Sequence, residues 1–437
     1  MVALWVAAAC AVITLLLAAV IAALYCSRPE PVQISENPGR KYDERDLVFV
    51  RQKLQANTPR YEQYYASNPD KKAADDHFRA QPGLLNPDAR FADPFLFRSV
   101  RGSLNSIYAL LQERNGLHLE DKRLTCDPLP MSTAIKGWCR HFGALSAGIC
   151  LLEEHHKYSH HGYRELYGTP VELTHRFAVA FTLEMDLAST MSAPQAPIWL
   201  ESARQYENGA NIATQLAIMI RHMGWSAKPH FFDNYDLVAP LVARDAGLGE
   251  IGRMAILMTP EAGPRVRLGV VTTDLPLVPD GRRRDQAVLD FCAACDKCAR
   301  SCPAKAIPSG PPGKDGGACR WRINDAACYT YWAKTGNPCG RCMAVCPLSH
   351  PGNLMRSVPW GFVRTSRLFH AAVLAWDDWT YGKTPAPWPP PDWMTVTMEK
   401  VAGEVHGKGM VAEPLNEGFD PPCCGGESVK MGGNRIK

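Results

Sequence analysis

Phe291-Cys292-Ala293-Ala294-Cys295-Asp296-Lys297-Cys298-Ala299-Arg300-Ser301-Cys302-Pro303 spells C-x2-C-x2-C-x3-C-P. Forty residues on, Cys339-Gly340-Arg341-Cys342-Met343-Ala344-Val345-Cys346-Pro347 repeats the second half of that run, with Cys328 upstream. The segment from Phe291 to Pro347 holds nine of the sixteen cysteines of the chain. Thiolates at two-residue gaps on a tight loop converge on one small soft-metal cage, and the fourth cysteine, three residues on, is displaced from it. Structural zinc pairs two C-x2-C knuckles per ion, which three evenly spaced cysteines followed by Cys-Pro do not suit. The spacing therefore points to iron–sulfur clusters rather than to zinc or disulfides.

This arrangement resembles the two-cluster bacterial ferredoxins, in which the cysteine before the proline ligates the other cluster. The resemblance implies one [4Fe-4S] cluster on Cys292, Cys295, Cys298 and Cys346, and a second on Cys302, Cys328, Cys339 and Cys342. Cys319, between the two runs, is an alternative to Cys328 as remote ligand. The remaining cysteines (Cys10, Cys26, Cys126, Cys139, Cys150, Cys423, Cys424) are scattered and form no secreted disulfide framework.

The 437 residues suffice for two or three domains, and 46% apolar with 21% charged residues is ordinary globular composition. A formal net charge of +4 gives no nucleic-acid footprint, so no nucleic-acid partner is expected. Val2 to Cys26 carries no charged residue. About 20 apolar residues can cross a bilayer, so residues 1–27 are expected to form a transmembrane helix. Arg28, Arg40 and Lys41 follow it, and no twin-arginine signal precedes it. The expectation is a single-pass membrane protein with its catalytic domain in the cytoplasm.

Between these ends the pattern is mixed. Asp43 to Gln55 reads as a short helix and Ser67 to Arg79 as polar surface. Asp75-Asp76-His77 lacks the glycine of a cobalamin lower-ligand motif, because Ala80 stands where it belongs. His155, His156, His160 and His161 read as a solvated loop. Phe177, Val179, Phe181 and Leu183 alternate as in a strand, and Leu268 to Thr273 reads as a buried one. Ile212, Leu216, Met219 and Met223 recur at helical spacing from Asn211 to Met223, with Gly224 as terminator. Strands alternating with helices argue for an α/β domain. Phe362 to Trp376 is a helix candidate, and Pro385 to Pro391 an extended segment on the surface.

Gly247-Leu248-Gly249-Glu250-Ile251-Gly252 satisfies G-x-G-x-x-G. A dinucleotide site needs a strand before it and a long helix after it, and Thr259-Pro260 leaves too little room for that helix. The glycines imply a backbone pressed close to something flat or phosphorylated.

Ala243-Arg244-Asp245-Ala246-Gly247-Leu248-Gly249-Glu250-Ile251-Gly252-Arg253 resembles the corrinoid-binding region of the reductive dehalogenases. So does Gly263-Pro264-Arg265-Val266-Arg267-Leu268 running into Thr273-Asp274-Leu275-Pro276-Leu277. The likeness covers roughly residues 163–350, and the epoxyqueuosine reductases share it more distantly. It implies a nitroreductase-like α/β corrinoid-binding domain at residues 116–280, after a linker and helical region at 28–115. A two-[4Fe-4S] ferredoxin-like domain at 281–355 and a C-terminal segment at 356–437 would follow.

The same likeness implies a base-off corrinoid (cobalamin) held at Gly247, Gly249 and Gly252, two [4Fe-4S] clusters, and replacement of halogen by hydrogen on a small organohalide. Electrons would come from a ferredoxin, a flavodoxin or a membrane redox protein. Tyr206 occupies the position of the family's proton donor, ahead of the helix read from Asn211. A phenol is a weak acid at neutrality, and a neighbouring guanidinium stabilises the phenolate left behind. Arg267 is favoured over Arg265 for that place, and Asn234 would orient Tyr206 or the halogen. A tRNA-modifying epoxyqueuosine reductase and a membrane-anchored ferredoxin-type carrier are the alternatives. The first typically carries helical repeats after its clusters, and the second needs far fewer than the 260 or so residues lying before them here.

Overall fold

The structure is a computed structural model that describes Thr14, Ala18 and residues 31–35, 41–110, 120–232, 235–315, 318–350, 363 and 369–395. Its centre is a four-stranded sheet of β1 (Ser146–Leu151), β2 (Phe177–Glu184), β3 (Ala227–His230) and β4 (Val266–Thr273), in the order β1-β2-β4-β3. All three pairings are antiparallel. In β2 the side chains alternate between two apolar layers, as the two-residue period of a strand requires. Phe177, Val179, Phe181 and Leu183 enter the larger core, whereas Ala178 and Ala180 enter a second one with Val242, Ala243 and Val270. A strand buried on both faces needs apolar residues at both parities, and small alanines on one face let a helix approach closely. Gly269 stands opposite Phe181, and a Cβ there would come within 2.3 Å of the Phe181 ring.

Helices α1 (Pro94–Leu110) and α2 (Pro197–His222) cover the larger core, where Val100, Ile107, Leu216 and Ile220 meet the odd residues of β2. Helix α3 (Ala239–Asp245) covers the other face. The helix expected from Asn211 thus begins at Pro197, so Tyr206 lies within it rather than ahead of it. Its stop is as read: Gly224 takes φ +77°, where a side chain would meet Lys122 and Arg123 backbone.

The cysteine segment folds as four short helices, α4 (Gln286–Cys295), α5 (Lys297–Arg300), α6 (Asp325–Thr335) and α7 (Arg341–Ala344). The repeat seen in the sequence is a repeat in space. Asp296 (φ +45°) and Gly340 (φ +61°) each turn the chain in the left-handed region immediately before a four-residue helix. The last described helix, α8 (His370–Tyr381), packs on α4. It lies later than the helix expected from Phe362, and residues 364–368 fall outside the described residues.

Two further expectations change. Residues 69–79 are not merely surface: Pro69–Arg79 is a helix with Asp75 and Phe78 buried. Asp75 accepts from Arg51 at 2.9 Å, Arg51 reaches Asp325 of α6 at 3.1 Å, and Phe78 meets Tyr329 edge-on. The N-terminal helical region therefore buttresses the cysteine segment. The membrane localisation is also corrected: no helix among the described residues is long and apolar enough to cross a membrane. Even the 26-residue α2 carries Glu201, Arg204, Glu207 and Arg221. Apart from Thr14 and Ala18, residues 1–27 lie outside the described residues.

Candidate active site and cluster sites

Eight cysteines fall into two groups of four. The Cys346 thiol is fully enclosed, and burial pushes it well above its ordinary value, reinforced by Cys292, Cys295 and Cys298 around it. Burial likewise raises Cys328, whose neighbouring thiols are Cys342, Cys339 and Cys302. Cys295 and Cys339 are pushed up to about 12 and Cys342 to about 11, again by burial first. Buried thiols without a metal are held protonated; a metal would deprotonate them. Backbone N–H groups already point at the sulfurs: Ala306 donates to Cys302 Sγ at 3.3 Å, and Lys297, Arg341 and Leu348 donate to Cys295, Cys339 and Cys346.

Spacing bears on the kind of metal. Four thiolates on one zinc, each about 2.3 Å from the ion, lie about 3.8 Å apart. Among the described residues no three cysteines offer sulfurs all within 4.8 Å of one another. The groups suit a larger multi-iron cage. Cys319 stands apart in a short ribbon, its amide bonded to Ser35 and its thiol facing the Pro312 carbonyl at 3.9 Å.

The glycine loop is braced by the chain itself. No helix follows it; Glu250–Ile251 pairs with Leu257–Met258 in a two-residue ribbon. A Cβ at Gly247 (φ +79°) would strike the Gly281 carbonyl, and one at Gly249 (φ +158°) the Met258 carbonyl. At Gly252 it would crowd Met258 and lie 3.3 Å from the Cys292 sulfur. These contacts account for the three glycines by close packing, and Gly252 brings the loop against the first cysteine group.

Tyr206 and Arg267 meet. The Arg267 guanidinium lies over the Tyr206 ring, 5.2 Å from its centroid, and the Tyr206 ring also packs against Phe232, with centroids 4.7 Å apart. Arg267 Nη2 donates to Ser202 Oγ at 2.8 Å, one helical turn before Tyr206 on α2. Its Nη1 approaches Met343 Sδ at 3.9 Å, beside Cys342, and its charge opposes the burial-raised pKa of that thiol. Arg267 Nε is buried without a hydrogen-bond partner among the described residues. Arg265, by contrast, is fully engaged, by Ser349 and Met185 carbonyls and by Glu184 at 2.7 Å. Asn234 lies outside the described residues.

The histidine run is not a solvated loop. His156 and His161 are buried, and His155 and His156 both bond Asp245 Oδ2, at 3.0 and 2.9 Å. Burial raises the Asp245 carboxyl, but the bonds from His155, His156 and Arg244 outweigh it and hold the group well below the usual carboxylate range. The three side chains have metal-ligand spacing, yet His156 Nδ1 accepts the Glu153 N–H at 3.0 Å. Its Nε2 must then carry the proton given to Asp245, which leaves no lone pair for a cation. This node pins the loop to α3, just ahead of the glycine turn. Sequence reading missed it because the histidines and Asp245 are about ninety residues apart.

Comparison with known proteins agrees with this architecture. Residues 291–349 match the 4Fe-4S dicluster domain family. The chain is 36% identical over 205 residues to a tetrachloroethene reductive dehalogenase of Sulfurospirillum multivorans, covering 45% of this chain and 40% of that protein. It is 35% identical over 179 residues to one of Desulfitobacterium hafniense, covering 38% and 32%. Similarity to a Listeria monocytogenes epoxyqueuosine reductase is weaker, 27% over 130 residues, covering 26% of this chain and 30% of that one. In fold, the chain is similar to a catabolic reductive dehalogenase solved with 3-bromo-4-hydroxybenzoic acid (TM-score 0.66, 25% identity, 82% of this chain, 48% of that one). A second reductive dehalogenase structure, described as suggesting a mechanism for B12-dependent dehalogenation, gives TM-score 0.62 at 29% identity, over 79% of this chain and 49% of that one. The resemblance read from the motifs thus holds in sequence and in fold. The chain spans less than half the length of the reductive dehalogenases it matches.

Proposed function

We propose that the protein is a corrinoid-dependent reductive dehalogenase, replacing halogen by hydrogen on a small organohalide. The observation that carries this reading is the contact of Tyr206, Arg267 and Met343. It joins a phenolic proton source to the group of four cysteines that includes Cys342 through one guanidinium. The relatives named above point to the same chemistry. In this reading Cys292, Cys295, Cys298 and Cys346 hold one [4Fe-4S] cluster, and Cys302, Cys328, Cys339 and Cys342 hold the other. Gly247, Gly249 and Gly252, expected to hold the corrinoid, are accounted for by packing within the chain, and the buried, unpartnered Arg267 Nε is the polar atom consistent with a further acceptor beside Tyr206. When bound, these groups supply two low-potential electrons and a cobalt centre for carbon–halogen cleavage.

The chain's own residues do the rest. Tyr206 delivers the proton from its hydroxyl, and Arg267 stabilises the phenolate that remains. Ser202 fixes the guanidinium by accepting from Nη2. Phe232 and the apolar side chains around the ring exclude water from that face. A ferredoxin, a flavodoxin or a membrane redox protein would serve as donor.

The test is metal content and halide release from full-length protein produced with corrinoid available. About eight irons and one cobalt per chain, with halide released from a panel of aryl and alkyl halides under reduction, are expected. Eight irons without cobalt in well-folded protein would turn the reading toward an electron carrier.

A further inference from the structure

Lys297 lies between Cys295 and Cys298, and its ammonium is completely buried. Such burial is costly without charge partners. Two carboxylates from α8 provide them: Asp377 in direct contact and Asp378 at 2.9 Å. The other oxygen of Asp377 takes His350 Nε2 at 2.9 Å. His350 stands four residues past Cys346 and stacks on Tyr381, with ring centroids 3.6 Å apart. These charges collect behind one cysteine group, whereas the other has Arg267, Arg341 and Asp325 beside it.

We propose that Asp377, held in place by Lys297 and His350, lowers the reduction potential of the cluster on Cys292, Cys295, Cys298 and Cys346 and so sets it apart from the second cluster. The inference rests on the cluster ligation proposed above. Reduction adds a negative charge to a cluster, so a fixed carboxylate beside it disfavours the reduced state and a fixed ammonium favours it. Net charge near the sulfurs is one of the levers that spread cluster potentials. Asp377 is a positioning and field-setting residue here, since it reaches the cluster through Lys297 and the Cys295 turn.

The experiment is a redox titration followed by electron paramagnetic resonance on full-length, cluster-loaded protein. Asp377→Asn keeps the shape and removes the charge. It should favour reduction of one cluster about tenfold, an upward shift of about 59 mV for a one-electron couple, and leave the other unmoved. Lys297→Gln should shift the same cluster downward. A merely structural clamp would not produce opposite signs. Asp378→Asn serves if Lys297→Gln does not fold, and should give a smaller upward shift. Eight irons with an unmoved potential in Asp377→Asn, or shifts of one sign in Asp377→Asn and Lys297→Gln, overturn the inference alone. Fewer than eight irons in the unmutated chain overturns the ligation reading and the inference with it.

Discussion

Replacing Arg267 by Met tests the centre of the proposed mechanism. Its guanidinium sits 5.2 Å from the Tyr206 ring centroid. Taking that as the charge separation, with an effective dielectric constant of about 20, a phenolate formed at Tyr206 gains about 3 kcal/mol from the guanidinium. Losing it should slow a proton-limited turnover about a hundredfold. Tyr206→Phe removes the proton itself and should cost about 10²- to 10⁴-fold. Because the two side chains act as a unit, Arg267→Met should cost little in a Tyr206→Phe background. The assay is halide release under reduction, with every variant compared at equal iron and cobalt content. Arg267→Lys keeps a positive charge but not the fork that spans Ser202 and Met343, and should recover only part of the rate. Near-normal turnover in Tyr206→Phe refutes the proton-donor role. Losses that multiply in the double variant refute the partnership with Arg267.

Two further outcomes follow from the buried groups. Cys328→Ala should lose about four of eight irons, whereas Cys319→Ala should retain all of them; the reverse result would exchange their roles. Stability should fall as pH drops below about 6.5. Burial holds His156 and His175 below that ordinary value, so the unfolded chain binds protons that the folded chain refuses. Each histidine then costs up to about 1.4 kcal/mol per pH unit. Asp245 has the opposite character: its lowered pKa contributes stability present above the unfolded carboxylate value and lost only at much lower pH. Thermal unfolding between pH 7.5 and 5.5 measures the slope, which His156→Gln and His175→Gln should each flatten; equal or greater stability at pH 5.5 contradicts the assignment.

What could be read in the sequence is what local spacing dictates. The cysteine runs, the alternation of Phe177 to Leu183 and the stop at Gly224 each depend on residues within a few positions of one another. The start of α2 did not show, because Glu201, Ser202 and Gln205 look like a solvent-facing polar stretch. They are in fact buried. Glu201 accepts from Arg204, Gln205 and the Asp186 amide, so its charge is satisfied inside the fold rather than by water. The histidine run misled in the same way: polar residues announce exposure unless their partners are known, and the partner here is Asp245.

The same limit explains why the site was read only in part. Tyr206 and Arg267 were placed by likeness to a family. The residues that make them a pair, and those that distinguish one cysteine group from the other, are joined across distances no motif records. Ser202 and Arg267 are 65 residues apart, and Lys297 and Asp377 are 80. A lysine between two cluster cysteines reads in the sequence as a surface cation of a turn. It becomes informative only when α8 closes over it, because a fully buried ammonium requires an anion and the anion must then act on whatever lies behind it. Ligand spacing thus gives the number and kind of clusters, while the carboxylates proposed to set one cluster apart come from α8.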